Sequence, residues 1–420
     1  MRKISHILIV LLTVALIFSS CSKTKDDSSS NKSTADIKIA VFYNEDEQGK
    51  IYKKLAKAYM EANPGSKVEV VYGYSNREEV SKVLSKDGGI DVIGLSRSQL
   101  LEYSKSGYLV DISSLSKEMN YENTLYPISL SYGTYNGKLY GIGDMPMTVE
   151  WFYNKNIFSK NNLTEPKDLK ELQSICKTLK SKGLIPISLG GMDGWTTSLL
   201  LGAITSQTAG ASDLTSDYGS DKKAFTSIKG INEGFDILGK VFSSCIDEDC
   251  GKINYTKSVE DFVNGDAAIL PALSTAQDTI DEMKSKGFSY GVFKNGVAFN
   301  DNPESMYSAS AGQVLSIPQN SLKQKDAQDF IKFVFSDKGQ KYFTEQKYTA
   351  SLKSVNSGDS DMNQIIQSHL DDTNNDSILF YDNISPDMLA NLDSVLANVA
   401  DGITDAESAW NKILSMTFSN

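Results

Sequence analysis

The chain has 420 residues and a formal net charge of −11, with 40% hydrophobic and 23% charged residues. So acidic a balance argues against nucleic acid as a partner, because phosphate binding needs a positive face. The length exceeds one ordinary core, so two domains are expected, and four cysteines are too few for disulfides to be the main source of stability.

The chain opens with Met1, Arg2 and Lys3. An apolar run over residues 7–18 follows, broken only by Thr13, and then Ser19 and Ser20 precede Cys21. Charge, apolar stretch and small residues form the pattern of a signal peptide over residues 1–20. The run is short of the roughly 20 residues that a membrane span needs. Removal of Arg2 and Lys3 takes the charge from −11 to −13. A small residue before Cys21 at the end of the apolar region resembles the bacterial lipobox, with Phe18 where Leu is usual. The resemblance implies cleavage before Cys21 and lipidation of its thiol. Residues 21–36 are polar and Ser-rich, which reads as a flexible tether.

Past the tether, Ile37, Ile39 and Val41 begin a strand over residues 37–42. Ile51, Leu55, Ala58 and Tyr59 share one face of a helix that Asn63, Pro64 and Gly65 stop. A strand over 67–72, a helix reaching Leu84 and ended by residues 87–89, a strand over 90–95 and a helix closed at Gly107 follow. This alternation predicts an α/β domain with a largely parallel sheet. Near Tyr140 the pattern changes, and residues 147–155 read as a strand leaving the first domain. Residues 166–182 read as a helix with Leu169, Leu172, Ile175, Cys176 and Leu179 on its apolar face, so Cys176 is a core residue. A strand over 184–189 runs into Gly190, Gly191, Met192, Asp193, Gly194 and Trp195. Helices over 196–206 and 231–242, a helix-to-strand turn at 262–270, a strand with a Gly-rich turn over 307–318, and helices over 326–335, 388–399 and 406–416 complete the chain. Cys245 and Cys250 flank four residues, a spacing open to a local disulfide. No Cys or His cluster completes a metal site.

Several pieces in order resemble the extracellular solute-binding proteins of ABC importers, the group that includes maltose-binding protein. They are Asn63-Pro64 before the second strand, and Asp91-Val92-Ile93 with Gly107-Tyr108-Leu109-Val110-Asp111-Ile112. Next come Gly137 to Ile142 with Pro146, Phe152-Tyr153-Asn154-Lys155 with Phe158, and Pro166 to Leu172, where Lys167-Asp168-Leu169 stands in place of the family's Trp. Residues 183–187, Phe262 to Ile269, and Ala327 to Phe335 with Gly339-Gln340 complete the set. The resemblance implies an α/β fold of two lobes, periplasmic-binding-protein-like and of the class II type, with a hinge between the lobes. It places residues 37–146 and 308–348 in an N-terminal lobe and 147–307 and 349–420 in a C-terminal lobe. Crossings fall near 145–147, 306–309 and 348–351. The implied protein is a monomer on the extracellular face of the cell membrane, held by its lipid alone, without cofactor or metal. It would bind a mono- or oligosaccharide and deliver it to ABC-importer permease subunits.

A sugar site needs aromatic faces to stack on ring faces and polar groups for the hydroxyls. Candidates at strand ends are Tyr43, Asn44 and Glu45 after the first strand, and Ser96 and Arg97 after the third. Glu150 and Trp151 on the crossing strand, Trp195 among its glycines, and Gly312 and Gln313 join them. Alternation along a strand favours Glu150 for the cleft over Trp151. Two rivals stand beside transport: an exported carbohydrate-active hydrolase, and a sensor or adhesin partner. Acidic residues suffice for a glycosidase pair. The only histidines are His6 and His369, the latter read as a surface or groove residue, and no G-x-S-x-G, H-E-x-x-H or Walker pattern is present.

Overall fold

The structure, a computed structural model, describes residues 36–85, 89–208 and 210–419. The signal sequence, Cys21 and the tether up to residue 35 lie outside the described residues, as do 86–88 in the expected end of the second helix. Twelve strands follow in chain order among the described residues: β1 (Asp36–Ala40), β2 (Lys67–Val71), β3 (Val92–Leu95), β4 (Thr134–Tyr135), β5 (Lys138–Leu139), β6 (Gly141–Gly143), β7 (Pro146–Asn154), β8 (Ile185–Ile187), β9 (Ala267–Leu273), β10 (Tyr290–Val292), β11 (Ala309–Ala311) and β12 (Val314–Ser316).

The first lobe is built on a five-stranded sheet in the order β2-β1-β3-β12-β6. Its first three strands are parallel, and β12 runs antiparallel to both neighbours. Parallel neighbours require crossover helices. The helix Glu47–Ala62 supplies the first. The Asp46 carboxylate caps it by accepting from the Gln48 and Gly49 amides, and Ile51, Tyr52, Leu55 and Tyr59 are buried along one face. That face packs with Phe330, Ile331 and Phe343 from two later helices. β3 is buried throughout, as expected of a strand covered on both sides.

The second lobe is built on the order β10-β7-β9-β8. β7 pairs with β11 through Pro146–Thr148 and with β10 through Phe152–Asn154. The helix Gly194–Thr208 is buried on nearly every side, with Thr196 through Gln207 all inaccessible. The helices Lys229–Cys245 and Pro386–Ala400 pack against it, and Leu169–Lys180 and Ala406–Thr417 pack outside them, with Phe235 stacked on Trp410 at 5.9 Å. The segment 307–318, expected as one strand, is two. Gly312 and Gln313 break it, and β11 and β12 join different sheets. The helix expected from Pro166 starts at Leu169, because Asp168 caps it by accepting from the Glu171 amide at 2.8 Å. A hairpin, β4–β5, was not expected. It turns at Asn136 and Gly137, both at positive φ, the Asn-Gly signature of a type I′ turn.

Candidate functional site

The chain passes from the first sheet to the second at Asp144 and Met145 and returns at Gly312 and Gln313. Met145 holds φ at 40°, a strained value for a side chain of its size. Asp144 is fully buried beside it. Tyr43 donates its hydroxyl to Asp144 Oδ1 at 2.8 Å, and Tyr52 donates to Oδ2 at 2.5 Å. Tyr43 in turn accepts from the Gln313 amide at 2.8 Å, while Gln313 Oε1 accepts from the Phe42 amide. Burial pushes the Asp144 carboxyl up to about 6 against these donors. The network leaves no room for side chains at two glycines. A Cβ on Gly312 would lie 2.1 Å from the Tyr43 hydroxyl, and one on Gly94 would lie 1.7 Å from Gln313 Oε1. Tyr43, Gly312 and Gln313, expected to face a solute, lie in this network at the junction of the two sheets.

Arg97 is also internal. It is 2% exposed and donates to the carbonyls of Tyr132 at 2.9 Å and Thr134 at 2.7 Å. It reaches Asn383 Oδ1 and Thr215 Oγ1 of the second lobe at 3.3 Å each. Burial pushes its guanidinium down to about 10. Tyr132 donates to Asp382 Oδ2 at 2.5 Å, which ties the lobes a second time. Burial lifts the Asp382 carboxyl to about 6, opposed by Tyr132 and the charge on Arg97. Ser96 is used as the cap of the helix Arg97–Lys105.

From Asp382 a polar and aromatic ledge leads into the second lobe. Tyr381 lies next in sequence and within electrostatic reach of Asp393. Asp393 accepts from Ser198 Oγ at 2.8 Å. One turn earlier on the same helix stands Trp195. It is 42% exposed, with its ring 5.0 Å from that of Tyr255. Gly194 allows the close approach of the Asp393 backbone, since a Cβ there would lie 2.6 Å from its carbonyl oxygen. Across the junction, Asn44 and Glu45 are exposed after β1, and Glu45 pairs with Lys53 at 2.9 Å. A pocket of about 650 Å³ lies where Ser274, Thr275 and Asp278 at the end of β9 meet Lys347 and Tyr348.

The sequence pattern of the bacterial extracellular solute-binding proteins matches residues 54–367. The chain belongs to this family. A solved chitin oligosaccharide binding protein matches 92% of the chain over 98% of its own, with a TM-score of 0.69 and 19% identity. RafE from Streptococcus pneumoniae in its apo form matches 91% of the chain over 97% of its own, with a TM-score of 0.71 and 20% identity. RafE in complex with raffinose covers 91% of the chain and 99% of its own at a TM-score of 0.64 and 20% identity. These likenesses show the two-lobe fold of the solute-binding proteins. A probable sugar-binding periplasmic protein of Mesorhizobium japonicum is 23% identical over 146 residues, 34% of this chain and 33% of its own. An uncharacterized ABC transporter extracellular-binding protein of Pyrococcus horikoshii is 28% identical over 155 residues, 34% of this chain and 35% of its own. The chain thus spans about a third of the length of the curated relatives it matches.

Two residues expected at the cleft of this solute-binding protein, Glu150 and Trp151, are buried and have partners within the protein. Glu150 is 2% exposed, and its carboxylate meets His369 Nδ1 at 3.0 and 3.1 Å and accepts from Thr148 Oγ1. His369, expected at the surface, is 1% exposed. It bonds the Lys294 carbonyl through Nε2 at 2.9 Å and stacks on Tyr307 at 4.0 Å. Burial lowers the imidazole's affinity for a proton, but the Glu150 charge outweighs it and the pKa is raised. Trp151 points to the other side of β7 and packs against Phe299 at 5.9 Å. Polarity favoured Glu150 for the cleft; a buried partner far along the chain made it internal. Tyr255, Tyr381, Asp382 and Asp393 were not among the expected residues: the first starts a helix, the next two lie in a short 3-10 turn and the last lies within the helix Pro386–Ala400, none at a strand end. Among the described residues no group of His, Cys, Asp or Glu could hold a metal ion, and no helix is long and apolar enough to cross a membrane.

Proposed function

We propose that the protein captures a carbohydrate between its lobes and delivers it unchanged to the permease subunits of an ABC importer. The observation that carries this is Trp195. A large indole left open on an otherwise buried helix and backed by Tyr255 offers a stacking face, and the half-buried Asp393, Tyr381 and Asp382 offer partners for hydroxyls. Asn44 and Glu45 contribute from the opposite lobe. The relatives and structural neighbours named for sugars support the ligand class, with neutral oligosaccharides such as raffinose or chitin fragments as first candidates. The lobes divide as 37–146 with 308–348 and 147–307 with 349–420. Residues 1–20 act as a signal peptide, and a lipid on Cys21 holds the monomer at the outer membrane face through the tether. A thermal-shift screen of mono- and oligosaccharides tests the ligand class, because a ligand bound to the folded state raises Tm by mass action. A rise with amino acids or polyamines and with no sugar refutes the carbohydrate assignment.

A further inference from the structure

Cys176 and Cys245 come from different helices, and neither is exposed to solvent. Cys176 lies in the middle of the helix Leu169–Lys180, and Cys245 is the last residue of the helix Lys229–Cys245. Two hydrogen bonds bracket them. One turn before Cys176, Gln173 Nε2 donates to Ser244 Oγ at 3.3 Å. One turn after it, Lys180 Nζ donates to the Ile246 carbonyl at 3.1 Å. The same helix face therefore meets residues 244 and 246 on either side of Cys245, so Cys176 and Cys245 face each other between the two bonds. Cys250, the partner that sequence spacing offered, is turned away, with its sulfur 3.5 Å from the Ala400 carbonyl.

We propose that Cys176 and Cys245 are joined by a disulfide in the exported protein, pinning these two helices of the second lobe together. All three described cysteines are free thiols in this structure. The proposal rests on the extracellular station of the family, since thiols that meet outside the cytoplasm are oxidised and persist as disulfides. The packed helix faces bring the two side chains together, and a helix terminus can supply the movement that a bond of about 2 Å needs. One of the two sulfurs, as its thiolate, attacks a small-molecule or protein disulfide and releases one thiolate. The other, on losing its proton, then displaces the second. Two electrons and two protons pass to the oxidant, which leaves as two thiols. Burial places this reaction during folding, before the helices dock, and afterwards shields the bond from reductant.

Peptide mapping of the full chain, exported by its host and alkylated under denaturing conditions without reductant, tests this. The expected result is a Cys176–Cys245 linked peptide pair and alkylation of Cys250. Alkylation of all three residues, or a Cys245–Cys250 pair, overturns it. As a second readout, reductant under unfolding conditions should lower Tm by about 5–10 °C in the native chain. The same treatment should leave the Cys176→Ala/Cys245→Ala chain unmoved; equal shifts in both overturn the proposal. Sugar binding does not enter either readout, so failure here leaves the proposed function standing.

Discussion

Trp195 opens a helix whose next twelve residues are all buried, yet it is itself 42% exposed. An indole in that position costs the free protein an apolar surface that a sugar ring face can cover. Trp195→Ala is expected to weaken sugar binding by about 1–2 kcal/mol, roughly tenfold. Stability should move by no more than about 0.5 kcal/mol, because the ring contributes little to the core. Calorimetric titration and urea unfolding of the same variant separate the two effects. Unchanged affinity removes Trp195 from the site.

Asp144 makes a different kind of prediction. Its carboxyl rises from 3.8 to about 6 on folding because burial outweighs the Tyr52, Tyr43 and Gln313 donors. A group whose folded pKa lies above its unfolded one stabilises most below the unfolded value and loses that contribution as pH rises through the folded one. Asp382 acts in the same direction. Stability should therefore fall between about pH 4 and 6 by an amount on the order of 3 kcal/mol from Asp144. Asp144→Asn should retain only the part of this slope that Asp382 supplies, as read from Tm against pH. A slope identical to that of the native chain contradicts the assignment.

At the scale of elements, β7 is tied to a distant helix of its own lobe by more than backbone pairing. Glu150 on β7 and His369 on the helix Asp361–Asp371 form a buried pair, with Tyr307 stacked over the imidazole just before β11. Removing one member leaves the other charged or unpaired in a dry site. Glu150→Leu should destabilise by about 3–5 kcal/mol. The double change Glu150→Leu/His369→Met should recover much of that loss, since an apolar pair of similar volume needs no partners. Because the His369 pKa is raised, the native pair's contribution is full below about pH 6.5 and declines as pH climbs through the folded pKa. Denaturant unfolding across that range checks both statements.

The same elements show what sequence could and could not tell. Strand–helix alternation over residues 37–107 was legible because each apolar face has a fixed period, and the helix Glu47–Ala62 stops at Asn63 as Asn-Pro-Gly predicts. The split of β11 from β12 was not legible, because two glycine-adjacent residues look alike whether a strand bends or changes sheets. Trp195 was visible as an aromatic among glycines. Glu150, chosen for its polarity on the crossing strand, and Arg97, chosen at a strand end, are both buried, because their partners His369, Asn383 and Thr215 lie far away in the chain. Asp393 had no local signal, since its role depends on the approach of Gly194 and Ser198.

For the whole molecule, the lobes meet through apolar packing, as of Leu101 and Tyr135 against Tyr218, and through polar contacts. The polar contacts include Arg97 to Asn383 and Thr215, Tyr132 to Asp382, and Lys105 Nζ to the Tyr218 carbonyl at 3.1 Å. The Asn383 amide nitrogen is buried with no partner, so this seam is incompletely satisfied. A solute that touches both lobes at once favours the closed form by its differential affinity for the two arrangements. Turning an equilibrium from mostly open to mostly closed needs about 5.5 kcal/mol of that difference, within the roughly 8 kcal/mol of a micromolar ligand. Capture of this kind requires no bond to break.

Calorimetric titration of the chain from Thr34 onward with a panel of neutral oligosaccharides puts this to the most direct test. One sugar should bind at a 1:1 ratio with micromolar or tighter affinity and be recovered intact from the cell afterwards. Heat from none of them while an amino acid or polyamine binds, or a cleaved product in the recovered solution, would contradict capture of a sugar without chemistry.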